Sequence, residues 1–261
     1  MNLAGKKGII LGVLNEKSIA AACASHLINS GAEIFCSYLP VEGDKKRRHA
    51  LATRAVPGLP SHRMLPCDAS DDNSIASFFS SVSADFSKID FVLHCISFVS
   101  PQLGEAALSD ISRKPFTISM DTSVYSMIAI SKHAKKHMHD GGSILTFTHL
   151  SSEFVVPGYE LLGICKAALQ ASANYLSKEL GPANIRVNVI SAPPLPSSSA
   201  ISHPSYASLR ETYLKNSPLR TPPSYNEITK VVEFLVSDSS SGISGERIFV
   251  DGGFHNISTY N

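Results

Sequence analysis

Gly8-Ile9-Ile10-Leu11-Gly12-Val13, followed by Leu14-Asn15-Glu16-Lys17 and Ser18-Ile19-Ala20, is the stretch from which the fold of this chain is read. The apolar run shows no polar alternation, as in a strand covered on both faces. It halts at Gly12, and Ser18 is a good helix N-cap ahead of Ile19-Ala20-Ala21-Ala22. A strand, a short turn and a capped helix therefore open the chain. The first turn of such a helix carries unpaired N–H groups at the positive end of its dipole, a setting suited to a pyrophosphate. Only Gly12 stands in the turn, so the three-glycine phosphate-loop pattern is absent. Taken alone, the motif is equally compatible with a plain loop in which Ser18 only caps.

The same alternation continues outward. Strand-like runs occur at 8–13, 33–38, 63–67, 91–96, 143–148, 186–190 and 247–250, and helical patterns at 18–29, 44–55, 74–86, 116–137, 158–180 and 226–236. Alternating strands and helices imply right-handed crossovers and a parallel sheet. The expected fold is a single α/β domain with a doubly wound, Rossmann-type, seven-stranded parallel sheet, its ligand at the carboxyl ends of the strands. The segment 193–204, rich in Pro and Ser, breaks the pattern and leads into a helical piece at 206–215. It follows a strand whose end should face the ligand. Residues 193–216 are therefore expected to form a small substrate-binding lid, the alternative being an ordinary surface loop.

With 261 residues, 43% of them hydrophobic, and a formal net charge of +1, the chain can bury a sizeable core and presents no strong field to nucleic acid or a membrane surface. No apolar run approaches the roughly 20 residues that span a bilayer, and residues 1–12 lack the apolar centre of a signal peptide. A cytoplasmic protein without nucleic-acid or membrane partners is expected. Cys23, Cys36, Cys67, Cys95 and Cys165 are scattered, mostly in apolar runs, and read as reduced, buried thiols. His133, His137 and His139 lie among Lys132, Lys135 and Lys136 at a helix carboxyl end, where positive charge suits the dipole, so no metal is expected there.

Choice between NAD and NADP is read at the end of the second strand, where an acid favours NAD. That end is Ser37-Tyr38-Leu39-Pro40, without an acid, and Glu33 is too early. Lys45-Lys46-Arg47-Arg48 lies a little beyond; it suits either a 2′-phosphate or the solvated face of a helix. Asp68, after the third strand, can bond the adenine or cap the next segment, in competition with Asp71 and Asp72.

The chemistry is read from Pro157-Gly158-Tyr159, which opens a helix running through Gly163-Ile164-Cys165-Lys166. At about 100° per residue Tyr159 and Lys166 share a face, separated by about 10 Å along the axis. That separation suits two groups that meet different parts of one extended ligand. The lysine can hold ribose hydroxyls while the phenol reaches a substrate oxygen.

These residues, with Cys67-Asp68, His94-Cys95-Ile96-Ser97-Phe98, Asp121-Thr122-Ser123-Val124-Tyr125-Ser126, Gly181-Pro182, the run from Ile185 to Ala192, and Val250-Asp251-Gly252-Gly253-Phe254, resemble those of the enoyl-acyl-carrier-protein reductases. These are NADH-dependent enzymes of the short-chain dehydrogenase/reductase superfamily, and the chain resembles a divergent member along almost its full length. The ordinary superfamily pattern has tyrosine four residues before the lysine, where this chain has Leu162. The longer spacing, with the glycine-to-serine spacing at the start, is the specific part of the likeness.

The resemblance implies reduction of the 2,3 double bond of a 2-enoyl thioester in fatty acid biosynthesis, with NADH as cofactor and NADPH left open. Tyr159 would stabilise the enolate oxygen, and Lys166 would hold the nicotinamide ribose. Ile96, Leu195 and Ser197 would lie by the nicotinamide half and Asp68 and Ala69 by the adenine. Gly12, Ser18, Ile19 and Leu39 would complete the cofactor contacts, and Ser97, Phe98 and Tyr206 would join Tyr159 at the substrate. A homotetramer is implied by kinship alone.

The chain departs from the family pattern at several places. His149, ten residues before Tyr159, replaces an aromatic residue; it reads either as a donor to the substrate oxygen that titrates near neutrality or as a wall. Ser97 replaces a glycine and narrows the space beside the nicotinamide. Pro193 replaces another and removes a backbone donor. Residues 200–209 contain no lysine or arginine, where the family places cations to meet an acidic carrier. Acyl carrier protein is thus the implied partner with its docking residues missing. A free thioester, another carbonyl or activated-alkene substrate, or a non-catalytic cofactor-binding protein stay open.

Overall fold

The computed structural model describes residues 2–99, 107–201, 205–221 and 224–257. Its strands are β1 (Lys7–Leu11), β2 (Glu33–Tyr38), β3 (Met64–Pro66), β4 (Phe91–His94), β5 (Gly142–Thr148), β6 (Ile185–Ser191) and β7 (Arg247–Phe249). Between them run helices α1 (Ile19–Asn29), α2 (Lys45–Ala55), α3 (Asp72–Ser83), α4 (Arg113–Met120), α5 (Ser126–Ala134) and α6 (Glu160–Leu180), then α7 (Ser198–Ile201), α8 (Tyr206–Asn216) and α9 (Tyr225–Val236). The strands form one seven-stranded sheet in the order β3-β2-β1-β4-β5-β6-β7. Every pairing is parallel. The expected doubly wound sheet is therefore present. The order reverses between β1 and β4, and the crevice at their carboxyl ends is where such a sheet binds its ligand.

Neighbouring strand residues feed opposite layers of the core. Ile10, Ile34, Phe91 and Leu93 pack in the layer with α1, α2 and α9. Ile9, Leu11, Phe35 and Val92 pack in the layer with α3, α5 and α6. The twofold alternation of a strand, loaded with apolar residues on both sides, buries each strand twice. This is why the strands read as unbroken apolar runs.

Local chemistry sets the helix ends. Ser18 caps α1, its Oγ accepting from the Ala21 N–H. Asp71 caps α3 through Asn73, and Ser224 with Glu227 forms a capping box on α9. β1 stops short of residue 13 because Gly12 takes φ +100°. The single helix expected at 116–137 is instead α4 and α5 joined by a π-helical turn, Asp121–Tyr125. The wider turn lets Ser123 and Ser126 bond to groups at the end of β4, as set out below. Of the expected lid, α7 and α8 are described, and residues 202–204 lie outside the described residues. No described helix is long and apolar enough to cross a membrane.

Candidate active site

Glu160 opens α6, its carboxylate accepting from the Gly158 N–H at 2.9 Å. An acid in the first turn also complements the helix dipole. Tyr159 stands just outside, at the N-cap. Gly163 lets the helix press against the turn Leu150–Ser152, since a Cβ there would lie 2.9 Å from the Ser151 carbonyl oxygen. Tyr159 is 7% exposed and Lys166 8%, so both point inward. Their contacts belong to one strand end. The Lys166 Nζ donates to the Phe147 carbonyl at 2.8 Å, and the Tyr159 ring stacks on His149 with centroids 5.3 Å apart. Both residues thus meet the end of β5.

Burial governs the charge states here. It lowers the Lys166 pKa to about 8, against weaker upward pulls from Cys165 and Cys95. Burial, with the nearby Tyr206, raises the Tyr159 phenol above its usual value, so it stays a proton donor at neutral pH. His149 does not titrate near neutrality as the sequence suggests. Burial, reinforced by the Lys166 charge, pushes it down to about 4. Its Nδ1 accepts from the Ser151 N–H at 3.2 Å, which places the proton of the neutral ring on Nε2, a hydrogen-bond donor.

At the other end of the crevice, Gly12 allows the loops after β1 and β4 to meet, because a Cβ there would lie 2.6 Å from the Cys95 carbonyl oxygen and 3.3 Å from the Ile96 side chain. Ile19 and Ala20, in the first turn of α1, have no partner for their N–H groups among the described residues. Thr148 and Ser151, on either side of His149, each bury a hydroxyl that finds no partner there. Orphan donors at both ends of one crevice fit an extended polar ligand such as a dinucleotide.

The other expected residues are placed unevenly. Ser18 spends its hydroxyl locally, donating to the Asn15 carbonyl at 2.6 Å. Asp68 uses Oδ1 to accept from Ser70, while Asp71 is the cap of α3. Ala69 is buried and Leu39 exposed. Leu195 is buried in the core layer beside α1; Ser197 caps α7 by accepting from the Ala200 N–H. Ser97 and Phe98 are exposed on the loop after β4. Tyr206, on α8, is close enough to influence both Tyr159 and Tyr225. Lys45 and Lys46 line a hollow of about 780 Å³ between α2 and β3, together with Tyr38, His49 and His62. Arg47 and Arg48 pair with Asp44 instead.

Sequence reading missed several contributors. The Phe147 carbonyl that holds Lys166 leaves no trace in a sequence. His94 is fully buried and held by Thr146 and Ser126. Asn15, in the loop after β1, reaches Ser198 of α7 at 3.0 Å. Two hydroxyls three residues apart in Ser123-Val124-Tyr125-Ser126 were a signal that those positions serve a polar face. His133 and His137, considered above for a metal, both stack on Phe79.

A family profile described as Enoyl-(Acyl carrier protein) reductase matches residues 12–255. The chain is 39% identical over 255 residues to enoyl-[acyl-carrier-protein] reductase [NADH] 1 of Rhizobium meliloti, covering 97% of this chain and 91% of the relative. It is 35% identical to the NADPH-dependent FabI of Staphylococcus aureus, covering 98% and 99%. Among solved structures it is similar to the Bacillus cereus enoyl-acyl carrier protein reductase with NADP+ and an indole naphthyridinone, with a TM-score of 0.92, 35% identity and coverage of 99% and 100%. The Anaplasma phagocytophilum protein in complex with NAD gives a TM-score of 0.90 at 35% identity, covering 99% and 95%.

Proposed function

Because this chain belongs to the enoyl-acyl-carrier-protein reductase family, we propose that it reduces the 2,3 double bond of a 2-enoyl thioester with NADH or NADPH in fatty acid biosynthesis. The observation that carries this reading is the convergence of Tyr159 and Lys166, both buried, on the end of β5.

When bound, the reduced nicotinamide supplies the hydride taken up by the β-carbon. The enolate so formed takes a proton at its α-carbon from solvent, and the chain's own groups bind, orient and stabilise. Tyr159, kept protonated by burial, donates to the thioester oxygen as enolate charge gathers there. The Nε2–H of His149 is a second donor, fixed in direction by the Ser151 N–H behind the ring. Lys166, tethered to Phe147, meets the ribose and adds positive potential. Gly12, Ser18, Ile19 and Leu39 receive the phosphate and adenosine side with Asp68 and Ala69. Ile96, Leu195 and Ser197 flank the nicotinamide side. Ser97, Phe98 and Tyr206 line the acyl path, with residues 193–216 as its lid.

The thioester is read as one carried by acyl carrier protein. The absence of lysine and arginine from 200–209 favours free coenzyme A thioesters as a second reading. Exposed Tyr125, Ile128 and Tyr175 on the π-turn, α5 and α6 support self-association, read as a homotetramer. Five free thiols, four of them buried, fit a reducing compartment, read as the cytoplasm. The test is oxidation of NADH and of NADPH against crotonyl-CoA, a longer enoyl-CoA and an acetoacetyl thioester. Turnover confined to the enoyl compounds is expected. Turnover of the keto compound alone, or of none, overturns the proposal.

A further inference from the structure

Ser123 sits in the middle of the π-turn between α4 and α5 and is fully buried. Its hydroxyl is bonded in both directions to one residue. The Phe98 N–H donates to Ser123 Oγ at 2.9 Å, and Ser123 Oγ donates to the Phe98 carbonyl at 2.8 Å. Phe98 lies on the loop after β4, which carries Ile96, Ser97 and Phe98 toward the proposed site. Ser97 and Phe98 are exposed, so apolar packing does little to hold them. The earlier anchor of this loop, Cys95 N–H to the Leu11 carbonyl at 3.1 Å, only extends the sheet by one residue. Beyond it, Ile96 and Val99 pack against the core on either side, and the hydrogen bonds that hold the exposed pair between them come from Ser123.

The same turn makes a second hold on β4. Ser126 donates to the Thr122 carbonyl at 2.7 Å, and its oxygen lies 2.8 Å from His94 Nε2. His94 Nδ1 lies 2.9 Å from the Thr146 hydroxyl oxygen, and that hydroxyl donates to the His94 carbonyl at 3.2 Å. His94 and Thr146 stand side by side in the β4–β5 register, on the face that meets α5 and α6. Burial, with Lys166, holds this ring neutral, its pKa down at about 3. An ordinary helix through 116–137 would satisfy its own backbone. The wider π-turn gives up regular pairing and presents both hydroxyls to the strand end; such turns recur at functional sites.

We infer that Ser123 is a positioning residue for the reaction, holding residues 96–98 where they meet the nicotinamide and the acyl group. The inference rests on the proposed enoyl reduction. Its test uses the full chain with Ser123→Ala, and with Val124→Ala as a control that removes buried volume from the same turn without a hydrogen bond.

In Ser123→Ala, amide exchange in a peptide covering 95–99 speeds up about fivefold or more, the loss expected for one hydrogen bond. Exchange across 91–94 is unchanged. The KM for crotonyl-CoA rises about fivefold while that for reduced cofactor moves less than about twofold. Val124→Ala lowers the Tm without this split. Unchanged exchange at 95–99, faster exchange with an unchanged thioester KM, or the same split in Val124→Ala overturns the inference. A wild-type protein inert toward every enoyl thioester removes the reduction reading itself, and the claim that Ser123 anchors the loop is then decided by the exchange measurement alone.

Discussion

The ring of His149 lies over that of Tyr159, with 5.3 Å between centroids and 22° between planes. One strand end and one helix N-cap thereby fix the direction of the phenol. The stack does not need the phenolic oxygen. Tyr159→Phe should keep the fold and the His149 contact while losing the donor. Its kcat on an enoyl thioester should fall by about 10²-fold or more, with the dissociation constant for reduced cofactor within about a factor of three. Cofactor fluorescence titration beside steady-state rates separates the two. A loss confined to cofactor affinity would contradict the assigned role.

His149 is a neutral donor with its pKa near 4. The pH–rate profile should therefore show no limb between about pH 6 and 7 that disappears in His149→Phe. That variant preserves an aromatic stack and removes Nε2–H, so kcat should drop by about tenfold across the whole profile. A pH-dependent loss centred near 6.5 would mean that the ring titrates in the working enzyme.

Lys166 has its pKa lowered to about 8 by burial. Deprotonation above that value removes the ammonium proposed to meet the ribose. Affinity for reduced cofactor should weaken as the pH rises through about 8 and should be level below it. Lys166→Arg, which stays charged throughout, should lose this alkaline limb whatever its absolute affinity. A limb that persists in the arginine variant would assign it to another group.

Gly12 combines φ +100° with a carbonyl oxygen 2.6 Å from where a Cβ would be. Gly12→Ala should lower stability by about 2–4 kcal/mol, through a left-handed backbone and an overlap that only loop movement relieves. Cofactor binding should weaken with it. Urea unfolding and cofactor titration on the same variant check both parts.

His94 and His149 are both neutral in the folded protein, with pKa values lowered from 6.5 to about 3 and about 4. The unfolded chain binds these protons and the folded one does not. Their contribution to stability is therefore complete above about pH 6.5 and is lost as the pH falls toward those lower values. Each should contribute on the order of 3 kcal/mol to the fall between pH 6.5 and 4. His94→Gln should flatten that part of the urea-midpoint profile, even if the variant starts less stable.

How much was legible follows the range of the interactions. β2 falls where its apolar run lies, at Glu33–Tyr38, and α1 begins one residue after Ser18 because the cap is a local bond. The Tyr159–Lys166 pair was legible from its seven-residue spacing, although Tyr159 stands at the N-cap rather than within α6. The stretch 116–137 reads as one continuous helix because nothing in its own sequence forbids an α-helix there. Its interruption depends on Phe98 and His94, which lie in a different part of the chain. The low pKa of His149 is invisible in the sequence for the same reason, since its desolvation comes from distant segments packed around it.

Residue order alone thus settled the succession of strands and helices, the double burial of the sheet and the kinship with enoyl reductases. These rest on apolar runs, caps and spacings that act over a few residues. Only the packed molecule decided that Lys166 is tied to the Phe147 carbonyl, that His149 is uncharged, and that Ser123 holds the Phe98 main chain. Those outcomes depend on which groups lose water together, and that is set by where remote segments meet rather than by neighbours along the chain.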